Sequence, residues 1–248
     1  YQDHSNLYAR NFGPFEKHKE SFWRFKFFLT SHIREINVIR IFPRWPQSKE
    51  TPELKLNNLK KTEIIFTHFE KFITLSEKLK SELSKRIKPI AFKKGELVLD
   101  ANNISKKSYF IKKGILRTYF IKDGKEISEY FSETDEWVNS PKSFMQREKD
   151  IYYIDAIENT EAYFINVNDL VYLFDNFPEM ERYARLSMGT VFGHFMERIT
   201  SMRFTSAKER YNHFQKTYSN IYHRIPLGMV VSYLGITQET LSRIRAEK

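Results

Sequence analysis

Near the C-terminal end of the sequence, Gln238, Glu239, Ser242 and Arg243 fall at spacings that put them on one side of a helix. Their chemistry is hydrogen bonding to flat heterocycles: an amide that gives and accepts, a carboxylate that accepts, a hydroxyl, and a forked guanidinium. Such side chains read base edges in a major groove. Leu241 and Ile244, at i, i+3 spacing, face the other way, and Arg245 stays outside with the polar set. Thr237 stands where a helix cap belongs, with Thr240 in the first turn and Glu239 one residue early for an ideal capping box. The competing reading is a helical hairpin packed on its own domain, which has no need of a donor-rich second helix.

A reading helix must be held by a second element, and the residues before it supply one. Met229, Val230, Tyr233 and Leu234 form the inner face of a short helix, Gly235 permits a left-handed turn, and Ile236 plugs it from below. That order is a helix-turn-helix.

The rest of the chain constrains what such a motif serves. Its 248 residues, 41% hydrophobic and 16% aromatic, suffice for one large or two ordinary domains. The net charge is +10, and the excess is uneven: residues 181–248 hold 11 Lys and Arg against 5 Asp and Glu, while the middle is neutral. A basic end carrying this motif matches a phosphate-backbone footprint. The absence of cysteine excludes disulfides, thiol nucleophiles, thiolate zinc sites and cysteine-ligated iron–sulfur clusters, and fits a cytoplasmic location. No apolar run is long enough to span a membrane. The chain begins at Tyr1 without methionine, as a fragment or a processed chain would.

Along the chain, residues 1–60 are the least legible: Phe22, Phe25, Leu29, Ile33 and Ile36 keep helical spacing until Pro43 and Pro46. An amphipathic helix, a membrane-surface element, an extra lobe or a partly ordered addition would all be written this way. Residues 63–87 read as helical, with Ser76 as a cap and Leu79, Leu83 and Ile87 on one face. After Pro89 the period changes to two, and Lys-Gly and Asp-Gly turns separate short strands that suggest a small barrel or jelly roll. Asn168 can cap a further helix. From Pro178 to Phe204 one long helix is expected, with Ala184, Met188, Val191, Phe195, Ile199 and Met202 as a seam that pairs two copies of the chain, or that is buried in its own domain.

The order helix, glycine-punctuated roll, long helix, helix-turn-helix resembles the family of the cyclic-AMP receptor protein and the fumarate-nitrate reductase regulator (Crp/Fnr), bacterial transcription factors. FKKGELVL, SYFIKKGILRTYF, DGKEISEYF and LGITQETLSRIR carry the resemblance, over about residues 63–248. It implies an α+β fold: a cyclic-nucleotide-binding-like β-roll (a double-stranded β-helix or jelly roll, 61–178), a dimerisation helix (179–205) and a winged-helix-type helix-turn-helix (206–248), with residues 1–60 an extra segment of unknown role. It also implies double-stranded DNA and a second copy of the chain as partners, and RNA polymerase as a candidate third. Gln238, Glu239 and Arg243 would face bases, Ser242 would lie beside them, and Thr237 and Thr240 would hold phosphates. No enzymatic activity is expected.

The family cradles its ligand with a Gly-Glu pair and an Arg-(Ser/Thr)-Ala motif. Here Val138 and Asn139, followed by Ser140, stand at the first place, and Asp150, Ile151 and Tyr152 at the second, with Arg147 and Lys149 nearby. An aspartate where a cyclic phosphate needs a guanidinium is repulsive, so binding of cyclic AMP is not expected, and the effector stays unnamed. No metal or cofactor is expected either: the seven histidines (His4, His18, His32, His68, His194, His213, His223) lie outside the roll, which argues against haem and against a cupin-type metalloenzyme, and they read as surface or DNA-proximal groups. Two alternatives stay open, a ligand-independent DNA binder with a purely structural roll and a nucleotide-binding module that acts on protein partners.

Overall fold

The alternation after Pro89 resolves into strands because successive side chains on each strand find different apolar partners on its two faces. The computed structural model of the protein describes residues 62–247. The segment 1–60, with its helical spacing and three histidines, and Lys248 lie outside the described residues. In chain order the elements are α1 (62–70), α2 (Glu77–Arg86), β1 (Lys88–Phe92), β2 (Leu97–Leu99), β3 (Lys107–Lys113), β4 (Leu116–Lys122), β5 (Lys125–Ser132), β6 (Trp137–Val138), α3 (Pro141–Gln146), β7 (Tyr153–Ala156), β8 (Thr160–Asn166), α4 (Val167–Asn176), α5 (Pro178–Phe204), α6 (Ala207–Thr217), a 3₁₀ turn (Tyr222–Arg224), α7 (Leu227–Leu234) and α8 (Gln238–Ala246).

The strands form two antiparallel sheets, ordered β1-β8-β3-β6 and β2-β7-β4-β5. Between β4 and β5 the chain reverses through Asp123 and Gly124, both at positive φ (50° and 73°), the two-residue turn that matches the twist of a hairpin. The core between the sheets holds Phe92, Tyr109, Ile111, Leu116, Val138, Ile154, Ala156 and Ala162.

Each sheet also has an apolar outer face. Behind the first, Phe110, Tyr163 and Ile165 pack against α1, α2, α4 and the start of α5, through Phe69, Leu79, Leu83, Leu173 and Met180. Behind the second, Ile115 and Phe131 join Tyr211, Phe214, Tyr218, Tyr233 and Leu241 in one cluster. The helix-turn-helix is therefore seated on the roll.

One local expectation holds and two are corrected. Ser76 does cap α2, accepting from Leu79 N at 3.3 Å. Asn168 does not cap α4, which begins at Val167 with Asn166 as its N-cap, while Asn166 Nδ2 donates to Asp169 at 3.2 Å. His68 is not a surface group: it is 9% exposed, with Nε2 2.7 Å from Tyr183 Oη and Nδ1 3.0 Å from Asp135. It ties α1, the β5–β6 connection and α5 together. Among the described residues no helix is long and apolar enough to cross a membrane.

Candidate nucleic-acid interface and effector pocket

The geometry of α8 follows from the turn that precedes it. At the end of α7, Gly235 takes φ 64° and ψ 40°, its N–H donates to Ser232 O at 3.4 Å, and Ile236 N donates to Val231 O at 3.2 Å. This pair of bonds is the Schellman motif, which satisfies carbonyls that a helix end leaves open and aims the chain into the next helix. A side chain at position 235 would carry the strain of the left-handed conformation. Thr237 then caps α8, its Oγ1 accepting from Thr240 N at 3.2 Å, with the two hydroxyls 3.1 Å apart.

Leu241 and Ile244 are buried beneath α8, and Gln238, Glu239, Ser242, Arg243 and Arg245 are exposed. The face expected to read bases is thus presented to solvent, while Thr240 is half-buried against its cap. Hydrogen bonding to its own backbone N–H holds the Glu239 carboxyl below the usual range, with Thr237 and the charge of Arg243 adding to the effect. Glu239 is therefore an acceptor at neutral pH.

Of the residues expected around a ligand in the roll, Ser140 and Asp150 bond each other, while Asn139 and Arg147 bond residues outside that set. Val138 is buried in the intersheet core. Asn139 Nδ2 donates to Ser108 Oγ at 3.0 Å. Ser140, fully buried, donates to Asp150 Oδ2 at 2.6 Å, and the other oxygen of Asp150 accepts from Ile151 N at 2.8 Å. The carboxylate thus holds a hydroxyl and an amide of the kind an anionic ligand would use. Arg147 does not compensate for the missing guanidinium: its Nη1 donates to Ser105 O at 2.5 Å, and burial lowers its pKa. The Ile151 side chain points into solvent at 61% exposure. Tyr152 is half-buried with its ring 6.2 Å from Phe120, and burial raises its phenol, with the charges of Glu129 and Asp150 adding and that of Arg198 opposing.

On the seam, Tyr183 just before it is buried and Ala184 is half-buried, but Met188, Val191, Phe195, Ile199 and Met202 are exposed by 37–55%. Phe192 and Met196, which the spacing did not include, are exposed beside them. Among the described residues this apolar stripe stays largely open, with the Phe195 ring 6.5 Å from Tyr130 at its one edge.

Two charged clusters were not foreseen. Arg117, 3% exposed on β4, forms a bidentate pair with Asp155 (3.0 and 2.6 Å) and a bond to Glu126 (2.8 Å), and lies 4.0 Å over Tyr119. Burial alone would lower its pKa, and the two carboxylates reverse the direction. Arg198 on α5 meets Glu129 of β5 and Tyr233 of α7. For Arg117 the available signal was a lone arginine in the largely apolar stretch GILRTYFI; FMERIT sets Arg198 beside Glu197 and gives none, and in neither case does a strand or helix pattern reveal the distant partner.

No model of a known protein family matches the sequence, and no curated protein matches it. Solved structures do. The chain is similar to a Crp/Fnr-family transcriptional regulator from Eubacterium rectale (22% identity, TM-score 0.57, 68% of this chain and 82% of that one). It is similar to FixK2 from Bradyrhizobium japonicum (16% identity, TM-score 0.57, 65% and 83%). It also resembles the c-di-GMP-responsive global regulator CLP from Xanthomonas campestris (11% identity, TM-score 0.57, 67% and 88%). The roll, the long helix and the helix-turn-helix together have the fold of the Crp/Fnr transcriptional regulators.

Proposed function

We propose that this protein is a bacterial, cytoplasmic transcription regulator of the Crp/Fnr type that binds double-stranded DNA as a homodimer. The observation that carries the reading is α8: a capped helix whose apolar side is buried on its own domain and whose outer side offers Gln238, Glu239, Ser242 and Arg243 to solvent. Pairing of two copies of α5 along the stripe from Met188 to Met202 would set the two reading helices about one DNA turn apart. Thr237 and Thr240 would meet phosphates at the helix start. The roll over 61–178 is the sensory part, 179–205 the dimer helix and 206–248 the DNA-binding part.

A second feature shapes what the roll does. The bond between Ser140 and Asp150 favours a roll that is complete without an anionic nucleotide, so DNA binding proceeds in its absence.

The test is Arg243→Ala in the full chain, measured against a DNA site selected from a random pool and against random DNA. Selective weakening on the specific site by about 1–3 kcal/mol, with folding unchanged, is expected for a base contact. Equal weakening on both makes Arg243 a phosphate contact, and no salt-dependent DNA binding by the parent protein overturns the reading.

A further inference from the structure

One side chain joins the helix-turn-helix both to the roll and to the long helix. Arg198 leaves α5 three residues after Phe195 of the stripe and is only 11% exposed. Its Nε donates to Glu129 Oε1 at 3.2 Å and its Nη2 to Glu129 Oε2 at 3.5 Å. Nη2 also lies 3.4 Å from Tyr233 O, and the guanidinium carbon stands 3.8 Å over the Tyr233 ring. Tyr233 is in the last turn of α7, where carbonyls lack helical partners and a cation is favoured. One planar group thus uses its edge on a carboxylate and a carbonyl and its face on a ring, which a lysine ammonium cannot do.

We propose that Arg198 is a positioning residue for DNA recognition: it fixes the bearing of α7, and through the Gly235 turn that of α8, against the dimer helix and strand β5. The inference rests on the dimeric DNA-binding reading. Other bonds help to hold α7 on the roll, such as Ser128 N to Ser232 Oγ at 3.2 Å and Ser232 Oγ to Ser128 Oγ at 3.0 Å, but they join β5 to α7 and leave α5 out. Arg198 joins all three elements. In a two-fold dimer whose axis runs along the paired α5 helices, any rotation of α7 about α5 is doubled in the distance between the two reading helices. What the clamp controls is therefore the spacing of DNA half-sites, not the identity of the bases.

The experiment uses the full chain and a two-half-site DNA selected from a random pool, remade with the spacer lengthened or shortened by about one and two base pairs. Affinity is read by fluorescence anisotropy for the parent protein, Arg198→Ala, Glu129→Gln and Arg198→Lys, with circular dichroism to confirm folding. The parent should lose at least about tenfold at the wrong spacings, the cost of one poorly placed reading helix. Arg198→Ala and Glu129→Gln should reduce that preference to about threefold or less, and Arg198→Lys should restore only part of it. Weakening by the same factor at every spacing makes Arg198 a structural residue and overturns the proposal, and so does a spacing profile identical to the parent's. If Arg198→Ala fails to fold, Glu129→Gln decides on the same criteria. A parent that selects no paired half-sites removes the dimeric reading itself, an outcome distinct from a flat comparison between parent and variants.

Discussion

Glu136 lies half-buried in the β5–β6 connection, with Tyr130 as a neighbour and Glu133 and Asp135 adding like charge. Burial is the largest cause that raises its pKa, from 4.5 to about 7. Glu136 Oε2 accepts from Glu133 N at 3.2 Å, which favours the ionised form, but burial outweighs that bond. The sign follows. Between pH 4.5 and about 7 the unfolded chain has released this proton and the folded chain keeps it. The stability contributed by this carboxyl is therefore present below pH 4.5, declines up to about pH 7, and is level above it. His68 works in the opposite sense: burial holds it below 6.5, so it costs stability only as pH falls. Glu136→Gln isolates the first effect by removing the charge and keeping the shape. Urea unfolding of the variant and the parent at pH 5 and pH 8 should show the variant gaining about 1–3 kcal/mol relative to the parent at the higher pH. An equal difference at both values would mean that Glu136 is ionised in the folded protein.

Element α5 shows how far a pattern can be read. Its bounds follow from the sequence, since Pro178 suits the first turn of a helix and the apolar repeat ends at Phe204. The repeat identifies a stripe, of which Ile199 and Met202 are about half exposed, while Phe195 also keeps its ring 6.5 Å from Tyr130 of β5. The strands and the Gly235 turn were legible for the same reason, because period, glycine and cap are local signals. The docking of the elements was not. Arg198 and Glu129 are 69 residues apart, Arg117 and Asp155 are 38, and neither separation leaves a periodic trace. His68 was misjudged because helical spacing does not show which tertiary face covers a residue. The stripe gives its own test. If two copies of α5 pair along it, Phe195→Asp places an uncompensated carboxylate in a desolvated seam at a cost of several kcal/mol. Light scattering should then report monomers at concentrations where the parent is a dimer, while far-ultraviolet circular dichroism stays unchanged. A persistent dimer places the interface on another surface.

At the scale of the molecule, the helix-turn-helix shares one apolar core with the roll. Phe131 of β5, fully buried, has its ring 5.6 Å from Tyr218, 5.7 Å from Tyr233 and 6.2 Å from Phe214. Tyr218 Oη lies 3.5 Å from Phe131 N, and Arg224 pairs with Glu158 at 2.5 Å on the periphery. Separating the two parts would expose this cluster, at roughly 25 cal/mol for each Å² of apolar surface returned to water. A ligand that acted by undocking them would have to supply that free energy by binding the undocked state more tightly. The docked state needs no such release, since the outer face of α8 is already exposed in it. In the roll, the hydroxyl and amide suited to an anion are held by Asp150, and Arg147 does not replace the missing guanidinium, because it is committed to Ser105 O. Cyclic AMP would therefore have to expel a carboxylate, forgo a guanidinium, and gain no closed gate to open. Calorimetry with cyclic AMP should show no saturable heat at micromolar concentrations, and the affinity for a selected DNA site should be the same with and without it. Micromolar binding that also raises DNA affinity would sink this account, and it would require Asp150 to leave Ser140. Asp150→Ala should then bind the nucleotide more tightly than the parent, whereas a protein that works without an anion gains nothing from that change.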